Sequence, residues 1–368
     1  MVLSKIISIG TALPAFSHAQ EDILPFIHQI YTLNEGGRRK LNYLTHQTGI
    51  RTRYSVIPDY SLPAQEWKFY PHSESLEPFP SLEQRMQWYD RYAAALSVDA
   101  IRSCLAGKCN AREITHLLTV SCTGMSAPGL DLQVAELMGF SPTIFRTSIN
   151  FMGCYAAIHA LKLADAICLS SPESKVLIVC TELCTLHFQK APTMDNIMSS
   201  LLFADGSAAV LVTGNAYSGK GWRIEGFHSR IIPKGKKDMA WELSSTGFQM
   251  TLSGYVPDLI EEDFAGLVKE ALDRHQLRKE DIRHWCIHPG GRKILESIHK
   301  SVELADEQLA PSYAVLAEYG NMSSPTVLFV LQKIMKMADY GQKERTFGAA
   351  FGPGLTVETF LVSNSMEI

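Results

Sequence analysis

Short apolar runs rich in β-branched residues alternate along the chain with longer segments of helical periodicity. The apolar runs predict buried strands at 114–121, 175–180, 208–213 and 283–287. Apolar residues spaced three and four positions apart predict helices at 23–31, 82–105, 129–137, 154–166, 261–274 and 325–337. Strands that alternate with helices indicate an α/β layered fold.

Two segments depart from this alternation. The segment 54–80 contains five prolines and several aromatic residues without a regular period, which predicts an irregular excursion over the surface. The N-terminal segment is apolar but reaches Gly10 and Pro14 at once. It therefore predicts a first strand and not a signal peptide.

The order of elements repeats along the chain. Ile114 and Ile282 each open a buried strand, and each strand is followed by a Gly-X pair and a helix. This repeat predicts a duplicated α/β layer. The flexible stretch 218–221 would join the two halves, which we expect at 1–218 and 219–368.

Composition and charge narrow the class of protein. Hydrophobic residues make up 46 % of the 368 residues and charged residues 20 %, which is typical of an ordered globular protein of one large or two fused units. The net charge of −4 gives no reason to expect nucleic acid or an anionic membrane as a partner. No stretch approaches the ~20 apolar residues of a membrane span. We therefore expect a cytoplasmic protein with no integral membrane segment.

The cysteines are the first candidates for chemistry. The chain has eight, and none forms a C-x-x-C pair, which argues against a zinc site or a dithiol redox centre. Cys154 has a distinctive context, because a glycine precedes it and helix-forming residues follow. A helix N-terminus stabilises a thiolate, which is the form that attacks thioesters. The alternative is a small residue that packs where a helix meets a strand.

A histidine and an asparagine stand in comparable places. His288 ends a predicted strand directly before Pro-Gly-Gly, at the edge where α/β proteins bind ligands. The alternative is that His288 is a structural residue whose ring nitrogens form hydrogen bonds with backbone groups. Asn321 follows Gly320 and precedes a helix, so it either caps that helix or donates a hydrogen bond to a developing oxyanion.

A Cys, a His and an Asn in this order fit two chemistries. In a cysteine hydrolase the histidine is a base that the asparagine orients. In a condensing enzyme both residues donate hydrogen bonds to a thioester oxygen that becomes an enolate. The papain-type pattern C-G-[SA]-C-[WY] is absent around Cys154, but spacing alone leaves both chemistries open.

Five blocks of sequence carry a resemblance to a known family. They are N-F-M-G-C-Y-A-A at 150–157, S-L-L-F-A-D-G-S-A-A at 200–209, H-P-G-G at 288–291, Y-G-N-M-S-S at 319–324 and F-G-P-G-L-T-V-E-T at 351–359. In this order they resemble the type III polyketide synthases, the chalcone-synthase-like family, over nearly the whole chain. The stretch 241–257 is similar to the bacterial branch. A single-condensation ketoacyl synthase that uses an acyl carrier protein is the alternative within this class, although the chain lacks a strong basic cluster for such a carrier.

The resemblance implies a fold and a mechanism. The family has the thiolase-like fold, a duplicated five-layer αβαβα arrangement, and forms homodimers. It implies that Cys154 is the nucleophile and that His288 keeps it as a thiolate. It also implies that His288 and Asn321 donate to the thioester oxygen, with an acyl-CoA starter and malonyl-CoA as substrates. No metal and no bound cofactor are expected, because decarboxylation of malonyl-CoA supplies the nucleophilic carbon.

The resemblance also implies a set of substrate-binding residues. Phe203 matches the gatekeeper between the CoA tunnel and the cavity, and Phe248 or Met250 would be the second gatekeeper. The other expected cavity residues are Cys122, Thr123, Cys184, Leu186, His187, Ser199, Ser323 and the turn Gly352, Pro353 and Gly354. Arg51 and Arg53 lie in the region that the family uses for CoA phosphates.

Two of these positions suggest the type of starter. Cys184 and Ser199 are small, which leaves room for a long acyl chain. We therefore expect a fatty acyl-CoA starter, with alkylpyrones or alkylresorcinols as products.

Overall fold

A computed structural model describes residues 3–73 and 76–364. Its strands are β1 (Lys5–Ala12), β2 (Phe16–Ala19), β3 (Thr52–Ser55), β4 (His116–Ser121), β5 (Phe145–Asn150), β6 (Lys175–Leu183), β7 (Asp205–Thr213), β8 (Trp222–Ile231), β9 (Met239–Ser244), β10 (Gly247–Leu252), β11 (His284–Ile287), β12 (Arg345–Gly352) and β13 (Thr356–Asn364). Its helices are α1 (Leu24–Tyr31), α2 (Glu35–Gln47), α3 (Leu82–Leu105), α4 (Leu130–Met138), α5 (Ala156–Ser170), α6 (Met194–Leu202), α7 (Val256–Asp273), α8 (Arg292–Val302), α9 (Asp306–Tyr319) and α10 (Thr326–Met337).

Within the described residues, nine of the strands form one sheet in the order β11-β12-β13-β8-β1-β7-β6-β4-β5. β1 pairs with β7 along most of its length, whereas it meets β8 through the pairs Lys5↔Arg223 and Ile6↔Trp222. The sheet therefore consists of an N-terminal part and a C-terminal part that join at a short seam. Two further hairpins, β2 with β3 and β9 with β10, lie outside this sheet.

The two parts of the sheet repeat one topology. In the N-terminal part β4 is parallel to β6, β6 is antiparallel to β7, and β7 is antiparallel to β1. In the C-terminal part β11 is parallel to β12, β12 is antiparallel to β13, and β13 is antiparallel to β8. The predicted duplication is therefore confirmed. The proposed boundary after residue 218 falls in the loop between β7 and β8.

Helices cover both parts of the sheet and also separate them. α3 packs on β1 and β7, and its buried residues join one core cluster. α5 and α10 share a second cluster and each contacts strands of both parts. α7 and α8 pack on each other in a third cluster with strands of the C-terminal part. These layers confirm the predicted αβαβα arrangement.

Most predicted elements agree with the structure, as α3 does, and the differences at other helices have local causes. α3 begins after Ser81, whose Oγ accepts a hydrogen bond from the Gln84 N–H at 3.2 Å. α7 begins at Val256, five residues earlier than predicted, because Pro257 fits the first turn of a helix. The predicted helix at 154–166 begins at Ala156 instead, after a 3₁₀ turn at Gly153–Tyr155.

The prediction that 54–80 runs over the surface is wrong. Tyr60, Trp67, Phe69 and Tyr70 are each at most 6 % exposed and belong to the core cluster of α3. Their rings pack edge-to-face against one another and against Phe26 of α1. The segment is irregular because its prolines prevent a helix or a central strand, but its aromatic side chains are nevertheless buried in the core.

A buried carboxylate organises the backbone of this segment. Asp59 is fully buried and accepts hydrogen bonds from the N–H groups of Lys68 (2.8 Å), Phe69 (2.9 Å) and Tyr70 (2.8 Å). These donors have no strand partner, so the carboxylate satisfies them in place of a sheet. Burial raises the pKa of Asp59, and the three hydrogen bonds oppose that rise.

Replacing Asp59 should therefore destabilise the fold. We expect Asp59→Asn to lower the free energy of unfolding by about 1–3 kcal/mol, because an amide oxygen cannot satisfy all three buried donors. A urea titration followed by tryptophan fluorescence measures this loss. Asp99→Asn, at an exposed position of α3, is the control and should stay within about 0.5 kcal/mol of the wild type. Equal stability of both variants would contradict the role given to Asp59.

Candidate active site

A cavity opens between the two halves. Most of the predicted cavity residues line it. They are Cys122, Thr123, Cys154, Cys184, His187, Ser199, Phe203, Phe248, Met250, Ser323, Gly352 and Pro353. The wall thus combines residues that precede the seam with residues that follow it, so both halves are needed to form the site.

The backbone before Cys154 makes a tight turn that presents the thiol to the cavity. Gly153 has a φ of +76° and packs so closely on Pro353 that a Cβ atom there would overlap the proline ring. The Gly153 N–H also donates to Cys122 Sγ at 3.0 Å. Only glycine fits this position, and it fixes the direction in which the next side chain points.

The environment of Cys154 favours the thiol over the thiolate. Burial raises the pKa of Cys154 to about 12, while side-chain hydrogen bonds with Ser323 and Asn321 oppose the rise. The nearby carboxyl of Glu182 raises the pKa further. Burial therefore opposes the thiolate that was expected at this helix N-terminus.

His288 has an imidazole ring that the protein leaves unpaired. Its backbone N–H donates to Ala349 O at 2.8 Å, and its own carbonyl accepts from Gly290 N–H at 3.0 Å. The side chain is 1 % exposed, and neither ring nitrogen has a hydrogen-bond partner among the described residues. Burial lowers the pKa of His288 to about 3. The ring is therefore neutral and unpaired, and the alternative of a ring satisfied by backbone is wrong. Neither His288 nor Asn321 is among the described residues that line the cavity.

Asn321 connects the three sequence motifs. Its Oδ1 accepts from Ser323 N–H at 2.8 Å, and its Nδ2 donates to Gly290 O at 3.2 Å, in the turn after His288. Its backbone pairs with Phe203 in an isolated parallel bridge. Asn321 does not cap α10, because Pro325 holds the N-cap position. The second hydrogen of its Nδ2 remains for the thiol of Cys154 or a substrate oxygen.

Both candidates for the second gatekeeper lie in the cavity wall. Phe248 stacks on His187 with a centroid distance of 4.3 Å and an interplanar angle of 7°. His187 Nε2 donates to Thr123 O at 2.7 Å, and its Nδ1 accepts from Phe248 N–H at 3.1 Å. Burial lowers the pKa of His187 to about 3, so this ring is neutral. Phe248 is thus held in place from two sides, whereas Met250 is free of such a contact among the described residues.

Two predicted cavity residues are not in the wall. Leu186 is fully buried in the core cluster of α3, and its carbonyl accepts a hydrogen bond from Arg85. It belongs to a 3₁₀ turn at Cys184–His187, in which successive side chains point in different directions, so Cys184 and His187 reach the cavity and Leu186 does not. Gly354 follows the cavity turn, and its N–H donates to Met239 O at 2.9 Å.

Arg53, one of the two residues predicted to bind CoA phosphates, lines the cavity but is bonded within the protein. Arg53 is 5 % exposed, and its guanidinium donates to Gln20 Oε1 (2.7 Å), Ser200 O (2.6 Å) and Phe203 O (2.7 Å). These bonds hold the C-terminal end of α6 and the gatekeeper, so the cation is occupied by the protein itself. Arg51 is exposed and does not line the cavity.

Sequence reasoning missed a carboxylate that braces the site. Glu182 is fully buried at the end of β6 and accepts from Cys122 N–H (2.8 Å), Thr123 Oγ1 (2.8 Å) and Ser324 Oγ (2.7 Å). It therefore joins the loop after β4 to the loop that carries Asn321. Burial raises the pKa of Glu182 to about 7. The sequence feature that could have revealed Glu182 is an acidic residue within a continuous run of apolar strand residues.

Neither a metal centre nor a membrane span is found in the part of the chain that the structure describes. In 3–73 and 76–364, His, Cys, Asp and Glu side chains form no group of three that could hold a metal ion. No helix within those ranges has the length and apolar character to cross a bilayer.

Comparison with known proteins places this geometry in a family. The family model for the N-terminal domain of chalcone and stilbene synthases matches residues 2–216 of this chain. The family model for their C-terminal domain matches residues 224–366. The "Alpha-pyrone synthesis polyketide synthase-like Pks18" of Mycobacterium tuberculosis is 30% identical over 98% of this chain and 91% of its own length. The "Putative chalcone synthase" of Bacillus subtilis is 30% identical over 98% of this chain and 99% of its own.

Solved structures agree with these matches. PKS-I from the brown alga Ectocarpus siliculosus aligns with a TM-score of 0.92 and 28% identity, over 99% of each chain. The bacterial type III polyketide synthase that makes 1,3,6,8-tetrahydroxynaphthalene in Streptomyces coelicolor aligns with a TM-score of 0.88 and 28% identity, over 99% of this chain and 100% of its own. The chain therefore belongs to the chalcone and stilbene synthase family and is a type III polyketide synthase, an acyltransferase that condenses malonyl-CoA with an acyl-CoA starter.

Proposed function

We propose that this enzyme loads a fatty acyl group onto Cys154, extends it with malonyl-CoA and releases alkylpyrones or alkylresorcinols. The observation that carries the proposal is the cavity, in which the Cys154 thiol lies beside the small residues Cys184 and Ser199. The relative from Mycobacterium tuberculosis, whose name refers to alpha-pyrone synthesis, supports the pyrone class of product.

Loading of the starter begins from neutral groups. The Cys154 sulfur attacks the thioester carbon while the unpaired imidazole of His288 accepts the thiol proton. The Nδ2 group of Asn321 donates to the oxyanion of the tetrahedral intermediate. CoA then leaves as a thiol with the proton from His288, and the acyl group stays on Cys154.

Condensation uses the same donors a second time. Malonyl-CoA loses carbon dioxide, and the resulting enolate oxygen accepts hydrogen bonds from the neutral His288 and from Asn321. The enolate carbon attacks the thioester on Cys154, a carbon–carbon bond forms, and the sulfur of Cys154 departs. The lengthened chain now lies on CoA and can be loaded again. This scheme needs no metal and no bound cofactor, since both donors are supplied by the chain.

Removal of the nucleophile tests this scheme. We expect Cys154→Ala to reduce the formation of labelled products from radiolabelled malonyl-CoA and fatty acyl-CoA by at least about 1,000-fold, because the variant lacks the sulfur to which the acyl chain is proposed to attach. Cys109→Ala changes a partly exposed cysteine that does not line the cavity and is the matched control. Hydrolysis of the starter without incorporation of label would favour a thioester hydrolase. A single incorporation without a cyclised product would favour a one-step ketoacyl synthase.

The pH dependence of Cys154 alkylation tests whether Cys154 and His288 are both neutral before substrate binds. With the pKa of Cys154 near 12, the thiolate fraction is small and grows about tenfold for each pH unit below that value. We expect the rate of inactivation by iodoacetamide to rise steadily from about pH 6 to about pH 9. A rate that is already constant above about pH 6 would show instead that Cys154 and His288 form a thiolate–imidazolium pair before substrate arrives.

We also propose that the enzyme is a homodimer that joins at β5. This strand ends the sheet, and its outer edge pairs with no other strand of the described chain. Five of its six residues are exposed, including Phe145 at 69 %. An open edge with an exposed aromatic residue is a surface that a second copy can cover by pairing strands.

A charge on β5 should separate the copies. We expect the wild type to have the mass of a dimer in light scattering, and Phe145→Asp to shift it to the mass of a monomer because a buried unpaired carboxylate opposes the interface. Tyr255→Asp places the same charge at another exposed aromatic position, 71 % exposed, and should leave the dimer intact. A monomeric wild type, or a dimer that both variants retain, would contradict an interface at β5.

A further inference from the structure

One hydroxyl in the cavity wall has no partner in the protein. Ser199 lines the cavity, and its Oγ is buried without a hydrogen bond to any described residue. A serine hydroxyl in a helix often donates to a carbonyl three or four residues earlier, as Ser200 Oγ does to Ile197 O at 2.7 Å. Ser199 lies on the same helix, α6, and makes no such bond. A buried polar atom of this kind is explained by a partner that is not part of the chain.

Ser199 differs in this respect from the rest of the wall. Among the described residues that line the cavity, no other side chain has a buried oxygen or nitrogen atom without a hydrogen bond. The hydroxyl of Thr123 donates to Glu182, and both ring nitrogens of His187 are bonded. A polar group of a ligand therefore meets its one unused buried hydroxyl in this wall at Ser199.

The position of Ser199 connects it to the reacting sulfur. The N–H of Phe203, one turn later, donates to Ser199 O at 3.0 Å, and the Phe203 backbone pairs with Asn321. The side chain of Asn321 forms a hydrogen bond with Cys154. Ser199 and Cys154 also line the same cavity. A chain attached to Cys154 therefore lies in the cavity into which the Ser199 hydroxyl is left unpaired.

The growing chain supplies a matching acceptor. A saturated fatty acyl group has no oxygen apart from that of its thioester, whereas each condensation with malonyl-CoA leaves one ketone on the chain. A ketone oxygen accepts a hydrogen bond from a serine hydroxyl. One buried donor in a wall of paired groups therefore distinguishes the extended chain from the starter.

The same oxygen takes part in release as a pyrone. The enol form of a ketone attacks the thioester carbon through its oxygen, the C–O bond of the ring forms, the C–S bond breaks, and the thiol departs with the enol proton. A hydroxyl that donates to this oxygen lowers its nucleophilicity. Ring closure is then delayed, and a further malonyl-CoA can be condensed first.

We infer that Ser199 Oγ donates a hydrogen bond to a ketone oxygen of the extended chain and thereby favours further extension over early release as a lactone. The inference rests on the proposed attachment of the chain to Cys154. It goes further by naming the group that recognises an extended chain, and it gives the hydroxyl of Ser199 a role of its own beside the small size of the residue.

The test compares Ser199→Ala with the matched variant Ser200→Ala. With radiolabelled malonyl-CoA and one fatty acyl-CoA, Ser199→Ala should lower the ratio of products with more extensions to the shortest lactone by about three- to tenfold, which corresponds to the loss of one hydrogen bond. Acylation of Cys154 by the starter alone, followed by mass spectrometry without malonyl-CoA, should be as fast as in the wild type. Ser200 also lines the cavity, but its hydroxyl is bonded to Ile197 O, so Ser200→Ala should keep the wild-type ratio.

Thermal unfolding tests whether the hydroxyl is unpaired in the empty enzyme. Ser199→Ala removes an unsatisfied polar atom and introduces the best helix former, so its Tm should equal or exceed that of the wild type. Ser200→Ala removes a paired hydroxyl and should have a lower Tm than Ser199→Ala. A Tm of Ser199→Ala below that of the wild type would show that its hydroxyl is bonded within the protein and would overturn the inference.

The product assay separates this inference from the proposed function. A wild-type product ratio in Ser199→Ala, an equal change in Ser200→Ala, or a wild type that releases the shortest lactone alone would overturn the role of the hydroxyl. Slower acylation of Cys154 in Ser199→Ala would also overturn it, because the hydroxyl would then bind the thioester of the starter. In each case fatty acylation of Cys154 in the wild type leaves the proposed function intact. A wild type that no fatty acyl-CoA acylates at Cys154 would overturn both.

Discussion

The structure depends on two helices that lie between the two parts of the sheet. α5 and α10 each touch strands of both parts, and the residues that face this middle layer are fully buried, among them Ala156, Ala160 and Val330. Because the space between the sheet parts is fixed by these helices, their N-terminal ends are fixed as well. The turn with Cys154 leads into α5, and the loop with Asn321 leads into α10. The packing of the middle layer thus sets the relative positions of Cys154 and Asn321.

In the irregular loops near the site, buried carboxylates accept the hydrogen bonds of backbone N–H groups that would otherwise pair within a sheet. Asp59 binds the backbone of the proline-rich segment, and Glu182 binds the loops beside Cys122 and Ser324. Asp205, in the block that follows Phe203, accepts from the N–H groups of Val56 (2.9 Å) and Thr185 (2.8 Å). Burial raises the pKa of Asp205 to about 6. Irregular loops can therefore form a rigid cavity wall, because each buried donor meets a fixed acceptor.

Local patterns predicted much of this arrangement. The apolar periods located the central strands and helices, and the glycines before Cys154 and Asn321 singled out two residues whose side chains the structure brings into hydrogen-bond contact. Other features depend on contacts between distant segments, which no local pattern contains. Arg53 is buried because carbonyls some 150 residues away accept its hydrogen bonds.

The contact between Gly153 and Pro353 has a consequence for how such an enzyme can change over generations. Gly153 belongs to one half of the duplication, and the proline ring that leaves it no room for a side chain belongs to the other. A side chain can appear at position 153 only if the ring at 353 has already gone, and each step alone disturbs the turn that aims the sulfur. The two positions therefore form a joint constraint on descent, and a lineage can keep both or must exchange both.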